Sequence, residues 1–281
     1  MERRRFGPTR REVAVIGQGT WNIERGDRRR AITALRAGLD HGMTHIDTAE
    51  MYGSGAAEDI IAEAIEGRRE EVFLVSKVLP GHASRRGTIA ACEQSLARLK
   101  TDRLDCYLLH WRGSHPLEET VAGFQQLRRD GKIRSWGVSN FDVSDLDEIW
   151  TVAGGDAVAC NQVLYHLNER AIEHAVIPWC QQKHVAVVGY SPFGHGDFPE
   201  RRTRAGSVLA QIAAAHNATP RQVALRFLTR LPGLFTIPKA ADPGHAAENA
   251  AAAKLRLTAE ALTQIDEAFP LGPRPRELPI L

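Results

Sequence analysis

Val72-Phe-Leu-Val-Ser-Lys-Val78 is followed by a helical pattern over Thr88–Leu99 and then by Leu104-Asp-Cys-Tyr-Leu-Leu-His-Trp111. Two short runs rich in β-branched and aromatic residues thus flank one longer amphipathic segment. That order is a βαβ unit, and its crossover makes the two strands parallel. Working outward, the same alternation continues in both directions. Strands are predicted at Val13–Thr20 and Thr44–Ala49 before this unit. Others follow at Ile133–Asn140, Val158–Tyr165, Val185–Pro192 and Leu234–Lys239, eight in all. Helices are predicted at Arg28–Asp40, Ala57–Ile65, Leu117–Arg129, Val143–Val152 and Glu169–Lys183. Ser207–His216 and Pro220–Arg230 come before the last strand, and His245–Ala253 and Ala259–Ala268 after it. Eight such units predict a single α/β domain over residues 1–281, a (β/α)8 TIM barrel with an extra C-terminal helix.

Composition agrees with this reading. The 281 residues are 43% hydrophobic and 25% charged, the balance of a globular protein. The longest apolar runs are far below the ~20 residues that span a bilayer, and no apolar stretch follows the basic N-terminus. A cytoplasmic protein is expected. The formal net charge is +2, from 36 basic and 34 acidic residues, which is too balanced for a nucleic-acid footprint. The four cysteines, at 92, 106, 160 and 180, show no C-x-x-C spacing and are expected as reduced core thiols. No H-x-H or H-E-x-x-H pattern supplies metal ligands, so no metal is expected. Gly17-Gln-Gly19 and Gly53-Ser-Gly55 fall short of G-x-G-x-x-G, which argues against a Rossmann site.

In a barrel of this kind, chemistry sits at the C-terminal strand ends. Asp47 stands at the end of the second strand with Tyr52 just beyond it, Lys77 ends the third and His110 ends the fourth. Each alone has an ordinary explanation: a turn cap, loop packing, a surface charge, a core histidine. As a set they converge on one mouth. A buried ammonium needs a partner, and Asp47 is the neighbour that offers one. An ammonium beside a phenol favours the phenolate and lowers a pKa of ~10. Such a group is a tuned proton donor, and a neutral histidine can orient a carbonyl oxygen. No side chain delivers hydride, so a nicotinamide cofactor is implied.

The sequence resembles the aldo-keto reductase superfamily over essentially its whole length. The matching stretches, in order, are Gly17-Gln-Gly-Thr-Trp21, His45-Ile-Asp-Thr-Ala, Met51-Tyr-Gly-Ser-Gly, Val75-Ser-Lys, Leu104 to Trp111, Gly131 to Phe141, Asn161-Gln-Val, Gly189-Tyr-Ser-Pro-Phe193 and Ile237-Pro-Lys. Their number and order make the likeness specific. It implies Asp47, Tyr52, Lys77 and His110 as the catalytic tetrad, with Tyr52 as general acid. It implies that Ser139, Asn140 and Gln162 hold the carboxamide of NADPH and that Tyr190 stacks on its ring. Gly19, Thr20, Trp21, Ser191 and Pro192 are further implied cofactor contacts, with Lys239, His245, Glu248 and Asn249 toward the 2′-phosphate end. Trp21 and Trp111 are implied at the substrate, and Arg112, beside His110, is expected to attract an oxo or carboxylate group of it. The last motif departs from the family pattern: Ala240 replaces a hydroxyl residue and His245 stands where Arg is usual. That substitution loses a bidentate phosphate contact, so NADPH is expected with weaker selectivity and NADH as a poorer cofactor.

The loop Arg112–Pro116, the segment 194–205 and the tail are short, and short loops suit small aldehydes. The stretch His110-Trp-Arg-Gly113 resembles a bacterial subgroup that includes methylglyoxal reductases. The expected activity is reduction of small aldehydes and ketones, 2-oxoaldehydes among them, by a monomer. The alternatives are NADP-dependent oxidation of an alcohol or sugar, and a non-catalytic NADPH-binding subunit. The intact tetrad and the lack of an added segment weigh against the latter.

Overall fold

The computed structural model describes residues 1–155 and 158–281. It begins with an antiparallel hairpin, β1 (Arg3–Arg5) against β2 (Glu12–Ala14). Next come the strands of a single parallel sheet: β3 (Gln18–Gly19), β4 (His45–Asp47), β5 (Phe73–Val78), β6 (Leu104–Leu109), β7 (Ile133–Ser139), β8 (Val158–Leu164), β9 (Ala186–Tyr190) and β10 (Leu234–Thr236). They pair in chain order from β3 to β10. Gly17 N–H donates to Thr236 O at 2.8 Å and Thr236 N–H to Val15 O at 2.9 Å, joining the two edges of the sheet. The helices are α1 (Arg28–Asp40), α2 (Ala56–Ala64), α3 (Arg85–Leu99), α4 (Leu117–Arg129), α5 (Val143–Val152), α6 (Val176–Gln182), α7 (Arg204–Ala215), α8 (Pro220–Leu228), α9 (Pro243–Ala251) and α10 (Ala259–Ala268).

Side chains alternate across a strand, and that alternation sorts the core. Leu74, Val78, Tyr107 and Leu109 face the helices, whereas Phe73, Val75, Cys106 and Leu108 belong to an inner cluster with Val15, Cys160, Val188 and Phe235. Continuing the inner series by two residues reaches Lys77 and His110. The same rule places Asp47 inward, since Ile46 packs outward. All four cysteines are free and buried, as expected.

Helix starts follow their capping residues. Asp27, Ser84, Thr203 and Thr258 each accept from a first-turn N–H, and Thr219 forms a full capping box with Gln222 ahead of Pro220. Two expectations are corrected. The predicted strand Val13–Thr20 is divided between β2 and β3, so its first part pairs with β1 and not with the parallel sheet. The predicted helix Glu169–Lys183 is helical only from Val176, after a 3-10 turn at Ala171–Glu173. Pro178 explains the loss: it has no N–H, and its ring collides with the carbonyl four residues back.

Phe6 is fully buried at the N-terminal end of the sheet, against His45, Phe73 and Phe235, with ring centroids 5.8, 4.8 and 5.1 Å away. Gly7 (φ +52°) lets the chain turn there, because a Cβ would lie 2.2 Å from Ala159 O. Among the described residues, no helix is long and apolar enough to cross a membrane.

Candidate active site

Lys77 is 0% exposed, and its ammonium spends all three donors within reach. It donates to Asp47 Oδ1 at 2.5 Å, Thr48 O at 2.8 Å and Tyr52 Oη at 3.1 Å. Strand register sets this up, since β4 and β5 are paired in parallel with Asp47 opposite Val75, one inward step below Lys77. Tyr52 arrives from the following turn, whose left-handed residues Gly53 (φ +56°), Ser54 (φ +53°) and Gly55 (φ +95°) fold the chain back into α2. Glycine at 53 and 55 bears that geometry without a Cβ penalty.

The second oxygen of Asp47 accepts from Gln162 Nε2 at 2.7 Å. Burial raises the Asp47 carboxyl, while Lys77 and Gln162 pull it back. Burial also acts against the Lys77 charge, but Asp47 and Tyr52 outweigh it and hold the ammonium protonated above its ordinary range. Lys77 therefore carries its charge at neutral pH. For Tyr52, burial is the largest influence and raises the phenol pKa, and Lys77 only partly offsets it. The sequence expectation of a lowered value is corrected to this extent: Lys77 acts in the expected direction, but desolvation is stronger. The phenol is a neutral donor with its proton in place.

His110 lies edge-on to Tyr52, with ring centroids 5.7 Å apart at 74°. Burial, with a smaller contribution from the Lys77 charge, lowers its pKa to about 2. The imidazole is neutral, and its Nδ1 is buried without a hydrogen-bond partner.

Asp47, Tyr52 and His110 open onto a cavity of about 350 Å³. Of the predicted cofactor residues, Gly19, Thr20, Trp21, Ser139, Asn140, Gln162, Tyr190, Ser191, Pro192 and Lys239 line it, and so does the predicted substrate residue Trp111. Along one wall the polar side chains hold one another. Ser139 Oγ donates to Gln162 O at 2.8 Å, Asn140 Nδ2 to His110 O at 3.1 Å, and Tyr190 Oη to Asn140 Oδ1 at 2.9 Å. Asn140 (φ +61°) and Ser191 (φ +51°) are left-handed, a conformation that costs energy and often marks a functional turn.

Four predicted residues lie elsewhere. Arg112 does not line the cavity; its guanidinium makes a bidentate pair with Glu148 of α5 at 2.8 and 2.9 Å. Its charge is thus spent on the outer surface. His245 is exposed on α9, and Asn249 is buried beneath it. Glu248 accepts from Thr219 Oγ1 at 2.6 Å in a separate hollow beside Phe198 and Arg221. Met51, Phe193, His195, Ile237 and Leu281 line the cavity and were not foreseen. Met51 adjoins Tyr52 and was open to inference, and Leu281 ends the tail that the sequence reading sets with the substrate loops.

The cavity suits a flat polar ring beside a proton donor. Tyr190 presents a half-buried aromatic face, the His110 nitrogen lacks a partner, and Lys239 is an exposed ammonium with no acceptor among the described residues. An aromatic face, an unsatisfied imidazole and a free cation fit a nicotinamide nucleotide bearing a phosphate.

Comparison with known proteins gives the same picture. Residues 15–269 match the Aldo/keto reductase family. The chain is 47% identical over 260 residues to methylglyoxal reductase YeaE of Escherichia coli (strain K12), covering 92% of each protein. It is 33% identical to glyoxal reductase of Bacillus subtilis (strain 168), covering 95% of this chain and 94% of that one. An aldo/keto reductase from Klebsiella pneumoniae, solved with NADP and acetate, superposes with a TM-score of 0.93 at 45% identity, covering 100% of this chain and 99% of the other. A Klebsiella pneumoniae aldo-keto reductase with NADPH gives 0.94 at 44% identity with the same coverage. Fold, cavity and sequence agree, and the chain belongs to the aldo/keto reductase family.

Proposed function

We propose that the protein reduces small aldehydes and ketones with NADPH, methylglyoxal and related 2-oxoaldehydes among them. The observation that carries this reading is the buried Lys77 ammonium bonded at once to Asp47 and Tyr52, both of which line the cavity. When bound, the nicotinamide supplies the hydride. The protein's own groups do the rest. Tyr52 Oη gives its proton to the carbonyl oxygen. Lys77 stabilises the phenolate that remains, and Asp47 keeps Lys77 charged. Neutral His110 donates a hydrogen bond that fixes the carbonyl.

Ser139, Asn140, Gln162 and Tyr190 are assigned to the nicotinamide and Lys239 to the 2′-phosphate, with His245 beside it. NADH is the weaker cofactor in this reading. Trp21 and Trp111 bound the substrate. Arg112 is assigned instead to holding the loop after β6 on α5. With this goes a single domain over residues 1–281, a closed (β/α)8 barrel with α10 as an added helix, supported by the bonds between its edges. A monomeric cytoplasmic enzyme completes the proposal.

The test is loss of NADPH absorbance with methylglyoxal, with Tyr52→Phe as its pair. Turnover that falls by about 10²–10⁴ in the variant, with NADPH still bound, supports the assignment. Undiminished turnover in Tyr52→Phe overturns it.

A further inference from the structure

One buried carboxylate ties together the two segments that carry Lys77 and Tyr52. Glu58 stands in the first turn of α2 and is fully buried. Its Oε1 accepts from Ser76 Oγ at 2.6 Å, and its Oε2 from Arg98 Nε of α3 at 2.6 Å. Ser76 precedes Lys77 on β5 and shares the helix-facing side of the strand with Leu74 and Val78. Arg98 lies against Gly55: a Cβ at that glycine would be 2.5 Å from Arg98 Cδ and Nε. Gly55 closes the left-handed turn that begins just after Tyr52. Glu24 meets the same turn at Gly53, where a Cβ would be 2.5 Å from Glu24 Cγ. Ser54, between the two glycines, holds φ +53°. A left-handed serine persists only where its surroundings over-determine it.

We infer that Glu58 is a positioning residue for the reaction. Bonded to Ser76 and, through Arg98, seated on the Gly53–Gly55 turn, it sets Tyr52 in register with Lys77. This rests on the reading of Tyr52 as the proton donor. The Lys77 Nζ–Tyr52 Oη contact of 3.1 Å joins a strand to a loop, so it holds only while the two backbones are fixed to one another. Glu58, Ser76 and Arg98 do not line the cavity, and their effect on turnover passes through Tyr52 and Lys77. A looser turn lets Tyr52 Oη drift from the ammonium and from the carbonyl oxygen together. A misplacement of about 1 Å costs up to ~10²-fold in rate. The cofactor and substrate contacts stay in place, so the loss falls on kcat and not on KM.

Ser76→Ala removes one arm and keeps the buried ion pair whole, and Glu58→Ala removes both arms. Turnover of methylglyoxal, its KM and the dissociation constant of NADPH are measured on the whole protein. Ser76→Ala is expected to lower kcat by about three- to tenfold and Glu58→Ala by ~10- to 100-fold, with KM and NADPH binding held within about twofold. Glu58→Gln, which can still accept from Arg98 and donate to Ser76 Oγ, is expected to restore most of the loss. In a Tyr52→Phe background, Ser76→Ala is expected to cost nothing further, because residues that act as one unit are not additive. Arg69→Ala is the matched control. It strips a buried arginine bonded to Asp105 Oδ2 at 2.9 Å beside the start of β5, and it is expected to lower stability and leave kcat alone. The inference is overturned if Ser76→Ala leaves kcat intact, if it costs as much in Tyr52→Phe as in the parent, or if Arg69→Ala lowers kcat equally. Tyr52→Phe separates the two levels. Undiminished turnover there sinks the proton-donor reading itself, whereas a large loss there with none in Ser76→Ala sinks only the role of Glu58.

Discussion

Gln162 and Asp47 are 115 residues apart in the chain, yet Gln162 Nε2 donates to Asp47 Oδ2 at 2.7 Å. The carboxylate is thus divided, one oxygen to an amide from β8 and the other to the Lys77 ammonium. Gln162→Leu leaves Oδ2 without its donor and so favours the protonated carboxyl. The Asp47 pKa then rises, and the acidic limb of kcat/KM moves to higher pH. A fall in kcat/KM of roughly tenfold at neutral pH is expected, from one lost hydrogen bond to a charged group. A pH–rate profile checks it, and an unmoved acidic limb would show that Gln162 does not tune the pair.

Removing one half of the buried ion pair is expected to cost more stability than removing both. Lys77→Met strands the Asp47 carboxylate and should cost about 3–5 kcal/mol. Combining Lys77→Met with Asp47→Asn should recover most of that loss, while activity stays down by ~10²–10⁴. Urea denaturation and turnover are measured on the parent and the two variants. Recovery of stability without recovery of turnover separates packing from chemistry.

His45 sits at 0% exposure with both ring nitrogens unpartnered, and burial holds its pKa down to about 3. The unfolded chain, with a histidine pKa of ~6.5, binds that proton first. A depressed histidine therefore contributes stability that is complete above ~6.5 and is lost as pH falls toward 3, by about 1.4 kcal/mol per pH unit. His110, held at about 2, acts in the same window. His45→Leu should be as stable as the parent or about 1 kcal/mol more so at pH 7, since it removes two unsatisfied nitrogens. Its stability should also fall less steeply from pH 6 to pH 4. Thermal or urea unfolding across that range decides it, and an unchanged slope would be the contrary result.

Arg112→Ala is expected to alter turnover on methylglyoxal and on a simple aldehyde by the same small factor. The guanidinium is committed to Glu148 on the outside of the fold. Such a half-exposed pair contributes about 0–1 kcal/mol to stability. Parallel kinetics on the two substrates check this, and a loss confined to the 2-oxoaldehyde would return Arg112 to the substrate.

Much of this architecture can be read in the chain because period-2 alternation is a local property. Phe73, Val75 and Lys77 share a face by spacing alone, as do Cys106, Leu108 and His110. Once the parallel sheet is recognised, the meeting of Lys77 with Asp47 follows. What stays hidden depends on distant partners. Arg3–Arg5 carries no strand signal and is a strand only because β2 pairs with it. Arg112 was placed by its neighbour His110, whereas α5 decides where its charge goes. Leu281 reaches the cavity and donates to Tyr190 Oη at 3.3 Å across 91 residues. The net direction of the Tyr52 shift was equally out of reach, because a sequence names the ammonium beside the phenol but not how dry the place is.

The bonds between Gly17, Val15 and Thr236 join the first strand of the parallel sheet to the last, more than 200 residues later. All four groups of the proton-donor cluster are translated by residue 110, in the first half of the chain. They remain on an open-edged sheet until the far strand has left the ribosome and docked. Long loop closure of this kind slows folding and leaves strand edges bare meanwhile. Synthesis therefore delivers the chemistry early but withholds its rigid setting until Thr236 has been made. A nascent chain halted before Thr236 would hold every group of the cluster and no finished cavity.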